Sequence, residues 1–167
     1  MLLAKIKKHM SDQVKTFKKW HLAAFAIIII LALGNKIYGY IWPKTNIYIS
    51  QEKIRVLVAD TAAHRFKGWS GRADMGKYGG MLFVFPQPDR HAMVMRDMYF
   101  ALDIIWLNQG KIIDIAPSLA PQAGVAEDQL TVYRPRGVAD MVLEVPAGFA
   151  ERAGLKIGDT VEIVDKI

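Results

Sequence analysis

Twelve apolar residues run without a break from Leu22 to Leu33 (LAAFAIIIILAL), and the stretch before them carries Lys5, Lys7, Lys8, Lys15, Lys18 and Lys19. A basic flank followed by an apolar run is topogenic: the run leaves water while the lysines stay on the cytoplasmic side. Read from Trp20 to Trp42 the segment has 23 residues. As a helix it would reach roughly 34 Å, against a hydrocarbon core of about 30 Å. Trp20, Tyr38, Tyr40 and Trp42 fall near its two ends, where interfacial aromatics sit. The expected organisation is a basic cytoplasmic tail at 1–19, a transmembrane anchor at 20–42 in contact with the lipid bilayer, a linker at 43–50, and an extracytoplasmic domain at 51–167. Twelve residues is also the length of a signal-peptide apolar region, so cleavage after Gly34 is one alternative and a buried helix another.

Charge separates the same two parts. Residues 1–46 carry eight Lys against Asp12 alone, whereas residues 47–167 carry fourteen Lys+Arg against fifteen Asp+Glu. A nucleic-acid-binding face needs its basic excess on the folded part, so nucleic acid is not an expected partner. With no cysteine in 167 residues, a disulfide framework and thiolate chemistry are excluded, and the length suits one modest domain.

Beyond Pro43 the pattern is that of strands. Lys53–Asp60 alternates Ile54, Val56 and Val58 on one face, a period of two. Further strands are expected at Gly79–Phe85, His91–Met98, Leu102–Asn108, Lys111–Ala116, Gln129–Tyr133, Asp140–Val145 and Thr160–Val164, with Asn108-Gln109-Gly110 as a tight turn. Helix is expected only at Thr61–Trp69, capped by Thr61 and stopped by Gly68, and for one turn at Phe149–Ala153. About eight short strands with so few helices predict an all-β domain, a compact β-sandwich or small barrel, behind a single transmembrane helix.

Five ordered blocks carry a resemblance. Gly80-Met81-Leu82-Phe83-Val84-Phe85-Pro86, Met95-Arg96-Asp97-Met98, Leu102-Asp103-Ile104-Ile105, Leu143-Glu144-Val145-Pro146-Ala147-Gly148 and the run from Gly154 to Val161 resemble the domain-of-unknown-function 192 family over roughly Ile54 to Val164. The resemblance implies a small, often exported, compact β-structure with no established activity. The chain departs from the family pattern at Met93-Val94-Met95-Arg96-Asp97 and at Gly68-Trp69-Ser70.

Chemistry-bearing motifs are sparse. Gly68-Trp69-Ser70-Gly71 is one residue short of a nucleophile elbow, no HExxH, Walker or dinucleotide loop occurs, and beyond Pro43 the only histidines are His64 and His91. No cofactor is expected. Ionisable residues embedded in apolar strands are Arg65, Arg96, Asp97, Asp103, Asp114, Tyr133 and Glu144. Asp103 either accepts backbone N–H bonds at a turn, with Arg65 or Arg96 as an ion-pair partner, or joins Arg65, Arg96, Asp97 and Tyr133 in a ligand cleft. Acid–base work by Asp103 and Glu144 would require their close approach. A second constellation is His91, Met93, Met95 and Met98, whose thioethers and imidazole would suit Cu(I) if the stretch were a strand; apolar core filling is the other use of these methionines. The expected function is a membrane-anchored extracytoplasmic binding or envelope-assembly module, non-catalytic, taking a small-molecule ligand or an envelope protein. A periplasmic Cu(I)-binding module and an uncharacterised hydrolase are the alternatives.

Overall fold

A computed structural model describes residues 19–38 and 41–164, in two units that divide between Ile41 and Trp42. The first contains helix α1 (Lys19–Tyr38). Its described apolar side chains, among them Phe25, Ile28, Ile30 and Leu31, are exposed. Among the described residues no helix is long and apolar enough to cross a membrane. The basic tail at 1–18 and Tyr40 lie outside the described residues, as do the side chains at 35–38. Trp42 corrects the expected end of the span. It belongs to the second unit, where its ring stacks on His64 at 4.3 Å between centroids and carries the Arg72 guanidinium at 5.2 Å.

The second unit is one seven-stranded sheet. Its strands are β1 (Lys44–Ile49), β2 (Glu52–Ala59), β3 (Gly80–Asp89), β4 (Leu102–Asn108), β5 (Lys111–Leu119), β6 (Ala139–Pro146) and β7 (Val161–Ile163), with short helices α2 (Ala62–Lys67) after β2 and α3 (Phe149–Arg152) after β6. Spatial order is β5-β4-β6-β3-β2-β1-β7, and only β2 and β3 run parallel, joined by the crossover that holds α2. The sheet curls until its edges meet: Lys111 bridges Thr160, and the Val161 N–H donates to the Gly110 carbonyl at 2.7 Å. The result is a mostly-β half-barrel rather than two stacked sheets.

Several local expectations hold for physical reasons the structure displays. The Thr61 side chain accepts the His64 N–H at 3.1 Å and starts α2, and Gly68 donates to the His64 carbonyl to end it. At the β4–β5 hairpin Gln109 and Gly110 both take positive φ, 50° and 74°, which is the two-residue turn that matches strand twist. Others fail. Lys44–Ile49, expected as linker, is β1, because Thr45, Ile47 and Ile49 bury one face between β2 and β7. β3 continues through Pro86 and Pro88 by way of a bulge between Val84 and Asp89, where a missing N–H breaks no ladder bond. His91–Met98 and Gln129–Tyr133 are not strands. They touch through one isolated bridge, Met93 with Tyr133, and otherwise lie as loops over the sheet.

Two cores result. Side chains from all seven strands, including Ile47, Val56, Leu82, Ile105, Ile112 and Leu143, converge on one face together with Phe149 of α3, so this face is the inside of the curl. The outer face carries Leu57, Met81, Phe83, Ile104, Trp106 and Val142, and it is covered by non-strand residues, chiefly Trp69, Met93, Met95 and Met98.

Candidate functional site

The outer face is incompletely closed. A cleft of about 150 Å³ opens between the C-terminal end of α2 and the segment at 92–98, lined by Trp69, Phe83, Met93, Met98 and Arg96, with Glu144 beneath. Glu144 reaches this position because β6 is a central strand, paired with both β3 and β4. In that ladder it stands between Met81 and Ile104. Gly80 helps to hold it there: a Cβ at that position would collide with the Glu144 carbonyl, so only glycine lets β3 close on β6 at this height.

Glu144 is 5% exposed, and among the described residues no hydrogen bond or ion pair stabilises its charge. Burial alone pushes its carboxyl from an ordinary 4.5 up to about 8, so at neutral pH it is a neutral acid able to donate as well as accept. Two N–H atoms of cleft-lining residues, Trp69 Nε1 and Arg96 Nε, are sealed from solvent with no hydrogen-bond partner among the described residues. Buried polar groups are nearly always satisfied, so these two atoms cost stability.

The residues expected to form a site are only partly brought together. Arg65 and Arg96 both line the cleft. Arg65 donates from Nη1 to the carbonyls of Asp60 and Val84, at 2.6 and 2.8 Å, tying α2 to β3. Arg96 donates to the Phe66 carbonyl, pairs with Glu127 at 2.6 Å and lies over the Phe66 ring. Asp97 is elsewhere: exposed, at φ 48°, lining a smaller depression with Gln122 and Glu127. Tyr133 packs against the outer core but is not a cleft residue.

Asp103 corrects the ligand-cleft expectation and meets the other, that its carboxylate accepts backbone N–H bonds. It is fully buried on the inner face, and its carboxylate accepts three backbone N–H bonds, from Ser118 (2.7 Å), Gly148 (3.0 Å) and Ala150 (2.8 Å). With its lone pairs so used, it anchors the start of α3 and the end of β5 and faces no cleft. Neither Arg65 nor Arg96 is its partner; the paired carboxylate is Asp114, which accepts from the Arg136 guanidinium at 2.6 Å and is thereby held below the ordinary range. The Asp103 and Glu144 carboxyls are on opposite faces and cannot act as a pair.

The copper set also comes apart. Met93 and Met98 line the cleft while Met95 is wholly in the core, and the His91 ring stacks on Phe85 at 3.5 Å with Nε2 bonded to the Gln87 carbonyl. The same-face alignment required a strand, which this segment does not form. Sequence reading missed Trp69, Phe83 and Phe66 as lining residues. It named Glu144 as embedded without choosing it, although an acid inside the otherwise apolar run Met141–Val145 was the available signal.

Fold and cleft together define a half-barrel domain with a buried carboxyl, unpaired among the described residues, under a cleft lined by both cationic and apolar side chains. The chain belongs to the domain-of-unknown-function 192 family, described as "Uncharacterized ACR", whose pattern matches residues 45–163. No curated protein matches it. Among solved structures it is similar to a candidate transcription regulator from Sinorhizobium meliloti 1021, at 25% identity and a TM-score of 0.65 over 73% of this chain and 95% of that one. It is also similar to a protein of unknown function from Novosphingobium aromaticivorans DSM 12444, at 28% identity and a TM-score of 0.61 over 72% of this chain and 84% of that one.

Proposed function

We propose that the protein is a non-catalytic, extracytoplasmic binding module held at a membrane by its N-terminal segment, and that its ligand site is the outer-face cleft. The observation that carries the reading is the Glu144 carboxyl, buried without a partner at the base of a cleft walled by aromatic and thioether side chains. Burying a lone carboxyl costs stability, and a domain of this size has little to spare. A structural explanation would need a bonding partner, and none is present among the described residues. Support for the membrane location comes from the sequence: six lysines precede the apolar run, and short Lys-rich segments stay cytoplasmic. The exposed apolar side chains of α1 suit lipid contact. A regulator's role on nucleic acid draws no support from residues 47–167, where acids outnumber bases.

Two measurements test the two halves. An alkaline phosphatase fused after Ile167 should be active outside the cytoplasm; an inactive fusion beside an active cytoplasmic reporter overturns the topology. Native mass spectrometry of the full chain purified in mild detergent should show a small molecule that is lost in a variant with the cleft filled, Ala92→Trp. Identical bound material in wild type and variant overturns the cleft.

A further inference from the structure

The reading of the outer-face cleft as a ligand site can be carried to a ligand class, because the charged side chains that line it, Glu144 apart, are all cations. Arg65, Lys67 and Arg96 put three cations at the cleft, and among the described residues only Arg96 of these has a carboxylate partner, Glu127. The remaining surface is apolar: Met93, Met98 and Phe83 inside, and Phe66 at the rim beneath the Arg96 guanidinium. A lone acid under aromatic rings could also suit an organic cation. Three positive side chains in the lining decide against it. The space, about 150 Å³, is close to that of an engineered cavity that holds a benzene ring.

We propose that the cleft binds the carboxylate of a small apolar organic acid, drawn in by Arg65, Lys67 and Arg96, an oxygen of it taking the acidic proton of Glu144, and its apolar body resting on Met93, Met98 and Phe83. This assignment rests on the cleft being the ligand site. The neutral carboxyl is what allows an anion to enter, since a charged Glu144 would repel it. The charged groups that line the cleft with Glu144 are Arg65 and Lys67 from α2 and Arg96 from the 92–98 segment. Its strand neighbours present Met81 and Ile104, and Asp103 lies on the other face.

The test uses three probes of nearly one shape and different charge: benzoate, benzyl alcohol and benzylammonium. Each is titrated into the full chain in nonionic detergent and followed by the methyl resonances of Met93 and Met98, assigned with Met93→Leu and Met98→Leu. Benzoate should bind at both methyls, roughly tenfold or more tighter than the other two, the worth of a charge-assisted bond. Because Glu144 titrates at about 8, benzoate should bind about tenfold more weakly at pH 9 than at pH 7. Glu144→Gln cannot ionise, so benzoate binding by this variant, whatever its strength at pH 7, should be the same at pH 9. Benzylammonium or benzyl alcohol shifting both methyls as strongly as benzoate overturns the carboxylate assignment while leaving the cleft a ligand site. No response to any probe overturns the assignment too, and the bound-material comparison with Ala92→Trp then judges the cleft separately. A pH dependence that survives Glu144→Gln overturns the role given to Glu144.

Discussion

The two faces of the sheet treat a buried carboxyl in opposite ways. On the inner face, where all seven strands converge, Asp103 is sealed by three backbone N–H donors. On the outer face, one residue further along the β4–β6 ladder, Glu144 has no such partner. The inner face is closed by hydrogen-bonded backbone, whose donors are in fixed positions and can be aimed at an acid. The outer face is closed by side chains from segments outside the strands, and where they fail to meet, an acid is left beneath a cleft. One carboxyl holds the structure together and the other is tolerated by it, which is how a stable scaffold carries a site that costs stability.

The largest effect that would sharpen this contrast is the dependence of stability on pH. The unfolded chain releases the Glu144 proton near the ordinary 4.5, and the folded chain keeps it until about 8. Between these values the unfolded state binds fewer protons, so stability falls as pH rises through that window and levels above it. Relative to Glu144→Gln, the wild type should lose on the order of 3–5 kcal/mol across it. Urea unfolding at a series of pH values gives the difference, and parallel curves for the two proteins would show that Glu144 is satisfied after all. Next in size is Asp103→Asn, which weakens three charge-assisted bonds and should cost roughly 1–3 kcal/mol by thermal unfolding. A change within about 0.5 kcal/mol, the range of surface substitutions, would break the comparison from the inner side. The smallest effect is expected of Asp114→Asn. Its carboxylate is bonded to the Arg136 backbone and guanidinium, but that guanidinium is largely exposed and screened. The cost should be about 1 kcal/mol at neutral pH. Asp114 is held below its ordinary value, so its contribution is present above pH 3.8 and fades as pH falls further, and the variant should show a shallower acid limb. A loss as large as that of Asp103→Asn would mean that exposure does not divide the two acids.

How legible each part was follows from how local its cause is. The cap at Thr61, the stop at Gly68 and the turn at Gln109-Gly110 depend on residues a few positions apart, and each was readable. β4 was readable from Leu102 to Asn108 although it is buried on both faces, since an apolar run bounded by a turn suffices. His91–Met98 looked like a strand because its apolar residues alternate, but a strand also needs a neighbour with free backbone groups. Met93 finds only Tyr133. β1 was misread for the converse reason: Lys44-Thr45-Asn46 is polar, and its strand state comes from pairing with β2 and β7, the latter more than a hundred residues away.

By itself the sequence determined the β character, the family and most strand positions, because periodicity, turn chemistry and ordered motifs are written in neighbouring residues. It also listed the embedded acids. Which of them is satisfied was decided only by the tertiary structure. The donors that seal Asp103 come from Ser118, Gly148 and Ala150, fifteen to forty-seven positions away. The cleft over Glu144 exists because α2 and the 92–98 segment meet above β6 without filling the space between them. Sequence shows that a carboxyl is embedded among apolar neighbours; whether backbone N–H groups or open space lie opposite it depends on how distant segments close on the sheet.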